Sequence, residues 1–166
     1  MDIEILKKTL GLKPLPQEGG FYAELYRSDE KLPGEHLPRR YSGERCFGTS
    51  VYFLLTPDTF SALHRLTSDE IYHFYFGDPV EMLQLSEQGA GQMVTLGTDL
   101  NRGMRPQLVV PRGTWQGSRL ISGGRFALLG TTVVPGFEFA DFELAHRERL
   151  LASHPRFSTL IRELTR

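Results

Sequence analysis

Short stretches of apolar residues, separated by turn signals, fill the middle of the chain from Gly48 to Val134. Clusters of Gly, Pro, Asn, Asp and Ser divide them at roughly ten-residue spacing, which is typical of a β-sandwich or barrel. No helical pattern of useful length lies between consecutive stretches, so the sequence argues against a parallel α/β sheet. The predicted strands are Thr49–Leu55, Phe60–Leu66, Ile71–Phe76, Val80–Leu85, Gln92–Leu96, Gln107–Val110, Thr114–Leu120 and Phe126–Val134.

Both ends of the chain predict short helices. Residues 2–10 place apolar side chains at helical spacing, with Asp2 as the N-cap and Gly11 as the stop. Near the C-terminus, four apolar residues form an i, i+3, i+4, i+7 stripe. They are Phe157, Leu160, Ile161 and Leu164. The sequence thus predicts one all-β domain over residues 1–166, with a short helix at each end.

Two segments precede the central strands. Residues 20–27 are rich in aromatic side chains and predict a further strand. Residues 28–46 are polar and contain two prolines and two glycines, which indicates a long loop or a loose hairpin. A loop of that length is expected to cover a site, contact a partner chain or be mobile.

Composition narrows the function classes. The chain has 166 residues, of which 40% are hydrophobic and 23% charged, an ordinary globular balance. With 19 Lys+Arg against 20 Asp+Glu and scattered basic residues, neither a nucleic-acid nor a membrane partner is expected. Cys46 is the one cysteine, so no intrachain disulfide can form. With no apolar leader, the expected location is the cytoplasm.

One stretch, residues 60–77, contains the candidate chemistry. Alternation places His64 and Leu66 on one face of a strand, and a tight turn then leads to Glu70. A hairpin here is expected to bring His64 and Glu70 together, with Tyr72 and Phe74 on the same face as Glu70. Further along, residues 111–116 form a turn that leads into a strand at Gln116.

These positions resemble the two motifs of the cupin superfamily. His64, Glu70 and Gly77 are in register with the first histidine, the glutamate and the final glycine of the first motif. Pro111 and Gly113 match the P-x-G of the second motif. The resemblance implies a double-stranded β-helix, that is, a jelly-roll barrel with a site inside it.

The chain also departs from the cupin pattern where that pattern binds metal. Leu66 replaces the second histidine of the first motif, and Gln116 replaces the histidine of the second. A set of one imidazole, one carboxylate and one amide, from His64, Glu70 and Gln116, is a weak site for a transition metal. A divalent metal enzyme therefore stays an alternative, and no cofactor is expected to be required.

A narrower resemblance covers most of the chain. Blocks similar to a small single-domain cupin subgroup of unknown function are EGGFY (18–22), YRS (26–28), VYFLL (51–55), HRLTSDE (64–70), LGTDL (96–100), RPQLVVPRGTWQ (105–116), PGFEFADFEL (135–144) and LTR (164–166). Members of this subgroup are commonly dimers, so the resemblance implies a homodimer.

The residues themselves favour acid–base chemistry on a small polar metabolite. His64 is the expected base and Tyr72 the expected acid, with Glu70 and Gln116 as positioning groups. The predicted ligand contacts are Gln116, Phe74, Tyr52, Trp115 and Arg27. Residues 62–64 are distantly similar to the catalytic histidine segment of the dTDP-keto-sugar 3,5-epimerases, which implies an isomerase or epimerase of a sugar or nucleotide-sugar. A non-catalytic ligand-binding module stays a further alternative.

Overall fold

Alternating apolar residues on facing strands build the interior of the molecule. The computed structural model describes residues 2–166. Two sheets face each other, and one buried apolar cluster joins them. Phe53 and Leu129 enter this cluster from the first sheet, and Met82 and Leu120 enter it from the second. The predicted all-β barrel is confirmed.

Within residues 2–166, the strand pairs of both sheets are antiparallel. Across the first sheet the order is β1 (Lys13–Pro14), β2 (Phe21–Arg27), β5 (Thr49–Leu55), β12 (Ala127–Val134), β7 (Asp69–Gly77) and β10 (Gln107–Val110). Across the second it is β13 (Phe142–Leu144), β6 (Phe60–Leu66), β11 (Trp115–Leu120), β8 (Val80–Leu85) and β9 (Gly91–Leu96). A separate pair consists of β3 (Lys31–Leu32) and β4 (Arg45–Cys46).

The connection between β6 and β7 corrects the expected hairpin. β6 pairs with β11 and β13 in the second sheet, whereas β7 pairs with β12 and β10 in the first. Residues 67–68 therefore carry the chain from one sheet to the other. As a result, His64 and Glu70 belong to opposite walls of the barrel and do not sit side by side on one sheet.

Helices cover the outer faces of both sheets. α1 (Ile3–Leu10) begins where the Asp2 side chain accepts a hydrogen bond from the Glu4 N–H, and it packs Leu6 against the first sheet. The predicted C-terminal helix is α3 (Ser158–Glu163), and α2 (Arg147–Ser153) was not predicted. Both pack on the second sheet. No helix within residues 2–166 has the length and apolar character to cross a membrane.

Residues 28–46 are tied to the barrel. The Arg45 guanidinium makes two hydrogen bonds, of 2.7 and 2.6 Å, to the carboxylate of Asp141, and both side chains are buried. The hydroxyls of Tyr41 and Ser68 lie 3.0 Å apart, within hydrogen-bond distance. This segment therefore packs beside the crossover at residues 67–68 and beside Asp141, which immediately precedes β13.

Candidate functional site

A cavity of about 140 Å³ lies between the two sheets. Much of its wall is apolar, with contributions from Leu15, Val51, Phe53, Leu66, Val133 and Phe142. A small set of polar side chains also faces it, namely Glu18, His64, Glu70, Tyr72 and Thr131. Apolar walls with a few converging polar groups are the usual make-up of a small-molecule site.

The imidazole of His64 is held in one tautomer. Its Nδ1 lies 2.7 Å from the carbonyl oxygen of Ala62, and a carbonyl oxygen can only accept a hydrogen bond. Nδ1 therefore carries the proton, and in the neutral ring Nε2 has a free lone pair. The ring also stacks on Phe142, with 5.0 Å between centroids and 23° between planes. Both contacts fix the direction in which Nε2 points.

Glu18 is a site residue that the sequence reasoning missed. Its Oε2 lies 4.0 Å from Nε2 of His64, and its Oε1 accepts a 2.7 Å hydrogen bond from the Ser61 hydroxyl. Gly19 and Gly20 follow with φ of 103° and 71°, a region that favours glycine, and they turn the chain so that Glu18 meets β6. The two adjacent glycines that follow Glu18 were the sequence signal of a turn that could direct this carboxylate toward the site.

Glu70 and Gln116 form a buried pair across the barrel. The side-chain amide of Gln116 donates a 2.6 Å hydrogen bond to Oε2 of Glu70. Burial raises the pKa of Glu70 above its ordinary value, the charge of His64 acts in the opposite direction, and the nearby Glu18 raises it further. Oε1 of Gln116 is buried and accepts no hydrogen bond from residues 2–166. The acid is thus biased toward its protonated form and lies beside a free acceptor.

Tyr72 faces the same cavity from β7, next to Thr131 on the paired strand β12. Burial raises the pKa of Tyr72 well above its ordinary value, and the negative charges of Glu70 and Glu18 add to this effect. The phenol therefore stays protonated across the ordinary pH range. It can donate a hydrogen bond to an oxygen atom but resists giving up its proton.

The structure brings together four of the predicted site residues. His64, Glu70 and Tyr72 line the cavity, and Gln116 is hydrogen-bonded to Glu70 from the opposite sheet. His64 and Gln116 are also register partners on β6 and β11. Phe142 was missed, because β13 has only three residues, too few to show an alternating pattern.

Two of the predicted ligand contacts face away from the cavity. Tyr52 lies on the outer face of the first sheet, where its ring meets Tyr75 edge-on and packs near α1. Trp115 lies on the outer face of the second sheet, under the C-terminal helices, with the Arg65 guanidinium 4.5 Å from its ring. Strand alternation explains both corrections, since the inward positions are taken by their neighbours Phe53 and Gln116.

Phe74 and Arg27 also differ from prediction. Phe74 points inward, as expected, but lies further along β7 in the apolar cluster and does not line the cavity. Arg27 does line the cavity, yet its guanidinium is paired with Glu24 at 3.0 Å and Glu138 at 2.9 Å. An arginine neutralised by two carboxylates is a poor anchor for an anionic ligand.

The residues present do not fit a transition-metal ion. Such ions need several imidazole, thiolate or carboxylate donors around one point. No group of three His, Cys, Asp or Glu side chains in residues 2–166 has that arrangement. Gln116 turns its NH₂ group, not its oxygen, toward Glu70, and Leu66 offers no donor atom. The metal roles suggested for His64, Glu70 and Gln116 therefore find no geometric support.

A larger groove of about 570 Å³ lies on the outer surface, but it does not compete as a site. Arg65, which lines it, is already paired with Glu87 and Glu143, each at 2.8 Å. None of the polar residues that line the cavity between the sheets, namely Glu18, His64, Glu70, Tyr72 and Thr131, lines this groove. The enclosed cavity, with its buried titratable groups, is the stronger candidate.

Comparison with solved structures gives two relatives of nearly equal length. Protein SO0799 from Shewanella oneidensis is 37% identical, with a TM-score of 0.86 over 100% of this chain and 98% of its own. A hypothetical protein from Leishmania major is 30% identical, with a TM-score of 0.88 over 99% of each chain. Oxalate decarboxylase from Bacillus subtilis shares only the fold, at 16% identity and a TM-score of 0.53, over 92% of this chain and 37% of its own.

Sequence comparison agrees with the structural one. The uncharacterised yeast protein YML079W, from Saccharomyces cerevisiae, is 29% identical in an alignment 133 residues long, which covers 75% of this chain and 66% of the yeast protein. The profile described as "Cupin superfamily (DUF985)" matches residues 4–145. On these grounds, the chain belongs to the cupin superfamily, in the family described as DUF985.

Proposed function

We propose that this protein is an acid–base catalyst that isomerises or epimerises a small hydroxy-carbonyl compound inside the barrel. The observation that carries the proposal is that an imidazole and a buried carboxyl group line one cavity from opposite sheets. The Nδ1 contact with Ala62 leaves Nε2 of His64 as its cavity-facing nitrogen, and burial raises the pKa of Glu70 above its ordinary value. A histidine and a carboxylic acid placed on one site are the usual base and acid of such a reaction.

The first step is the transfer of a proton from carbon to His64. Nε2 takes the proton from the carbon next to the carbonyl group, and the electron pair of that C–H bond becomes the C=C bond of an enediol. The carbonyl oxygen gains a proton from Glu70 as its π electrons move onto oxygen. Nε2 then gives its proton to the former carbonyl carbon, and the original hydroxyl oxygen gives its proton to the Glu70 carboxylate. The carbonyl group has moved to the neighbouring carbon, so no oxidant or reductant is consumed.

Tyr72 has a different role from the one expected from sequence. Because its pKa is raised well above the ordinary value, its hydroxyl is a hydrogen-bond donor to the developing oxyanion and not the proton source. Glu70 is the better proton source, since its own pKa is shifted toward neutrality. Gln116 holds the Glu70 carboxyl group in position through its 2.6 Å hydrogen bond.

Hydrogen–deuterium exchange at carbon tests this function directly. The protein is incubated in D₂O with a small panel of α-hydroxy ketones, including hydroxyacetone and the hydroxy ketone of cyclohexane, and exchange is followed by NMR. We expect exchange above background, and a loss of at least about 100-fold in His64→Gln. His73→Gln is the matched control, because His73 lies outside the cavity and bonds to Gln107 and Thr132.

Two outcomes would contradict the proposal. Exchange that persists in His64→Gln would remove His64 as the base. Saturable binding of the panel without any exchange by the wild-type protein would favour the non-catalytic binding module instead.

A further inference from the structure

The charge around the cavity is negative. Four acidic residues line it, against the guanidinium of Arg27 and the imidazole of His64. They are Glu18, Glu24, Glu70 and Glu138. Arg27 is shared between Glu24 and Glu138, so it neutralises only one of them. Even with Glu70 protonated, the Glu18 carboxylate remains inside the barrel with no Lys or Arg partner among residues 2–166. A second anion placed beside Glu18 would be buried against a like charge, which is strongly unfavourable.

The polar atoms of the cavity that have no hydrogen-bond donor among residues 2–166 are mainly hydrogen-bond acceptors. In the neutral ring, Nε2 of His64 has a free lone pair, and Oε2 of Glu18 lies 4.0 Å from it on the same cavity. Acceptors are satisfied by O–H or N–H groups, and a carboxylate or phosphate has none to offer. Hydroxyl groups on the ligand meet this requirement, while Tyr72 is available to donate to a single carbonyl oxygen.

The size of the cavity sets a further limit. Its volume of about 140 Å³ is well below the roughly 300–1,000 Å³ of a pocket for a drug-sized ligand. It is close to the engineered cavity of about 150 Å³ that accepts benzene. A single six-membered ring therefore fills it, and a whole nucleotide-sugar does not fit inside.

We infer that the ligand of this cavity is an uncharged, hydroxyl-bearing molecule of about one six-membered ring, and that anionic groups are excluded from the interior. This inference concerns the same site as the proposed function and names its substrate class. A cavity of this kind does not suit a small dianion as substrate. If the ligand has a nucleotide part, that part has to remain outside the barrel.

Three ring compounds of matched shape test the inference by calorimetric titration. They are the vicinal diol of cyclohexane, the corresponding amino alcohol and the corresponding hydroxy acid, which are neutral, cationic and anionic at neutral pH. We expect the diol to bind at least about tenfold more tightly than the hydroxy acid, because the two differ mainly in charge. Histidine side-chain NMR signals locate each probe, since binding in the cavity moves the His64 resonance and not that of His73.

Glu18→Gln identifies the source of the selectivity. This change removes the charge but keeps an oxygen for the Ser61 hydroxyl, so the preference for diol over hydroxy acid is expected to shrink to a few-fold. Glu148→Gln is the control, because Glu148 is exposed on α2, and it should leave the preference unchanged.

The remaining outcomes are decisive too. The inference fails if the hydroxy acid binds as tightly as the diol, if the amino alcohol binds tenfold more tightly than the diol, or if none of the three binds. The exchange experiment separates this result from the proposed function. Selective diol binding without carbon exchange would keep the ligand class and reject the catalysis, whereas exchange with tight acid binding would do the reverse.

Discussion

Gln116 holds Glu70 across the barrel, because its amide on the second sheet donates a 2.6 Å hydrogen bond to a carboxylate on the first. The register of β11 places Gln116 opposite His64 as well. One amide is therefore hydrogen-bonded to the candidate acid and lies beside the candidate base on the paired strand.

Gln116→Glu is expected to destabilise the fold in a pH-dependent way. The change replaces the donating NH₂ group with an oxygen beside Glu70, so two carboxyl groups must share a proton. We expect a loss of about 1–3 kcal/mol in the free energy of unfolding at neutral pH, and a smaller loss near pH 4. Urea denaturation measures it, with Gln88→Glu in the exposed turn after β8 as the control. Equal losses at both pH values would contradict the pairing.

Glu70→Gln is expected to change how stability depends on pH. The folded protein holds the Glu70 proton more tightly than the unfolded chain does, because burial raises the pKa of Glu70. The contribution of this group to stability is therefore present below the unfolded pKa of about 4.3 and is lost as the pH rises through the folded pKa. Urea denaturation from pH 4 to 8 should show this decline in the wild type and in Glu148→Gln. A decline that persists unchanged in Glu70→Gln would rule out the raised pKa.

Tyr72→Phe is expected to slow carbon exchange without abolishing it. The hydroxyl contributes a hydrogen bond to the oxyanion, and its removal should cost about 10–100-fold, less than the loss in His64→Gln. The readout is the NMR exchange rate on the hydroxy ketone panel. Tyr75→Phe is the matched control, since Tyr75 is 43% exposed on the outer face of the same strand. A Tyr72→Phe rate equal to the wild-type rate would remove Tyr72 from the mechanism.

Asp141→Ala is expected to cost about 3–5 kcal/mol, because it leaves the buried guanidinium of Arg45 without its charge partner. Glu143→Ala removes a partner of Arg65 nearby but on the surface, and should cost less than about 1 kcal/mol. Chemical denaturation of both variants gives the comparison. Similar values for the two would show that the Arg45–Asp141 pair does not anchor residues 28–46.

The homodimer remains a prediction. Beyond the Lys13–Tyr22 pair, the outer edge of β2 has no strand partner within residues 2–166, and Leu25 and Tyr26 on this strand are exposed. An apolar strand edge of this kind favours pairing with a second copy. Light scattering should give twice the mass of one chain, and Leu25→Lys should lower it. A monomer at all concentrations would contradict the expectation, and Met93→Lys, on the other sheet, is the control.

The strands from Thr49 to Val134 could be predicted because each buries one face and is bounded by turn residues. Observed ends differ from predicted ends by one or two residues at β7, β9, β11 and β12. What alternation could not reveal was which sheet each strand joins. For this reason the expected β6–β7 hairpin was wrong, although the closeness of His64 and Glu70 to one cavity was right.

The site residues divide in the same way. Motif spacing and alternation predicted the inward facing of His64, Glu70, Tyr72 and Gln116, and their roles in the site stay predictions. Glu18 and Phe142 reach the cavity through a glycine turn and a three-residue strand, neither of which leaves a periodic pattern. Tyr52 and Trp115 were placed wrongly because an aromatic residue suits a ligand wall and a helix-covered outer face equally well.

The crossover at residues 67–68 has a consequence for how the chemistry can be tuned. Because His64 and Glu70 belong to different sheets, no backbone hydrogen bonds between paired strands fix the distance between their side chains. That distance depends instead on the size of the side chains packed between the sheets, such as Leu129 from the first sheet and Met82 from the second. Replacing a core residue with a larger or smaller one would therefore change the distance between His64 and Glu70, and so alter the shape of the cavity without any change to the residues that line it.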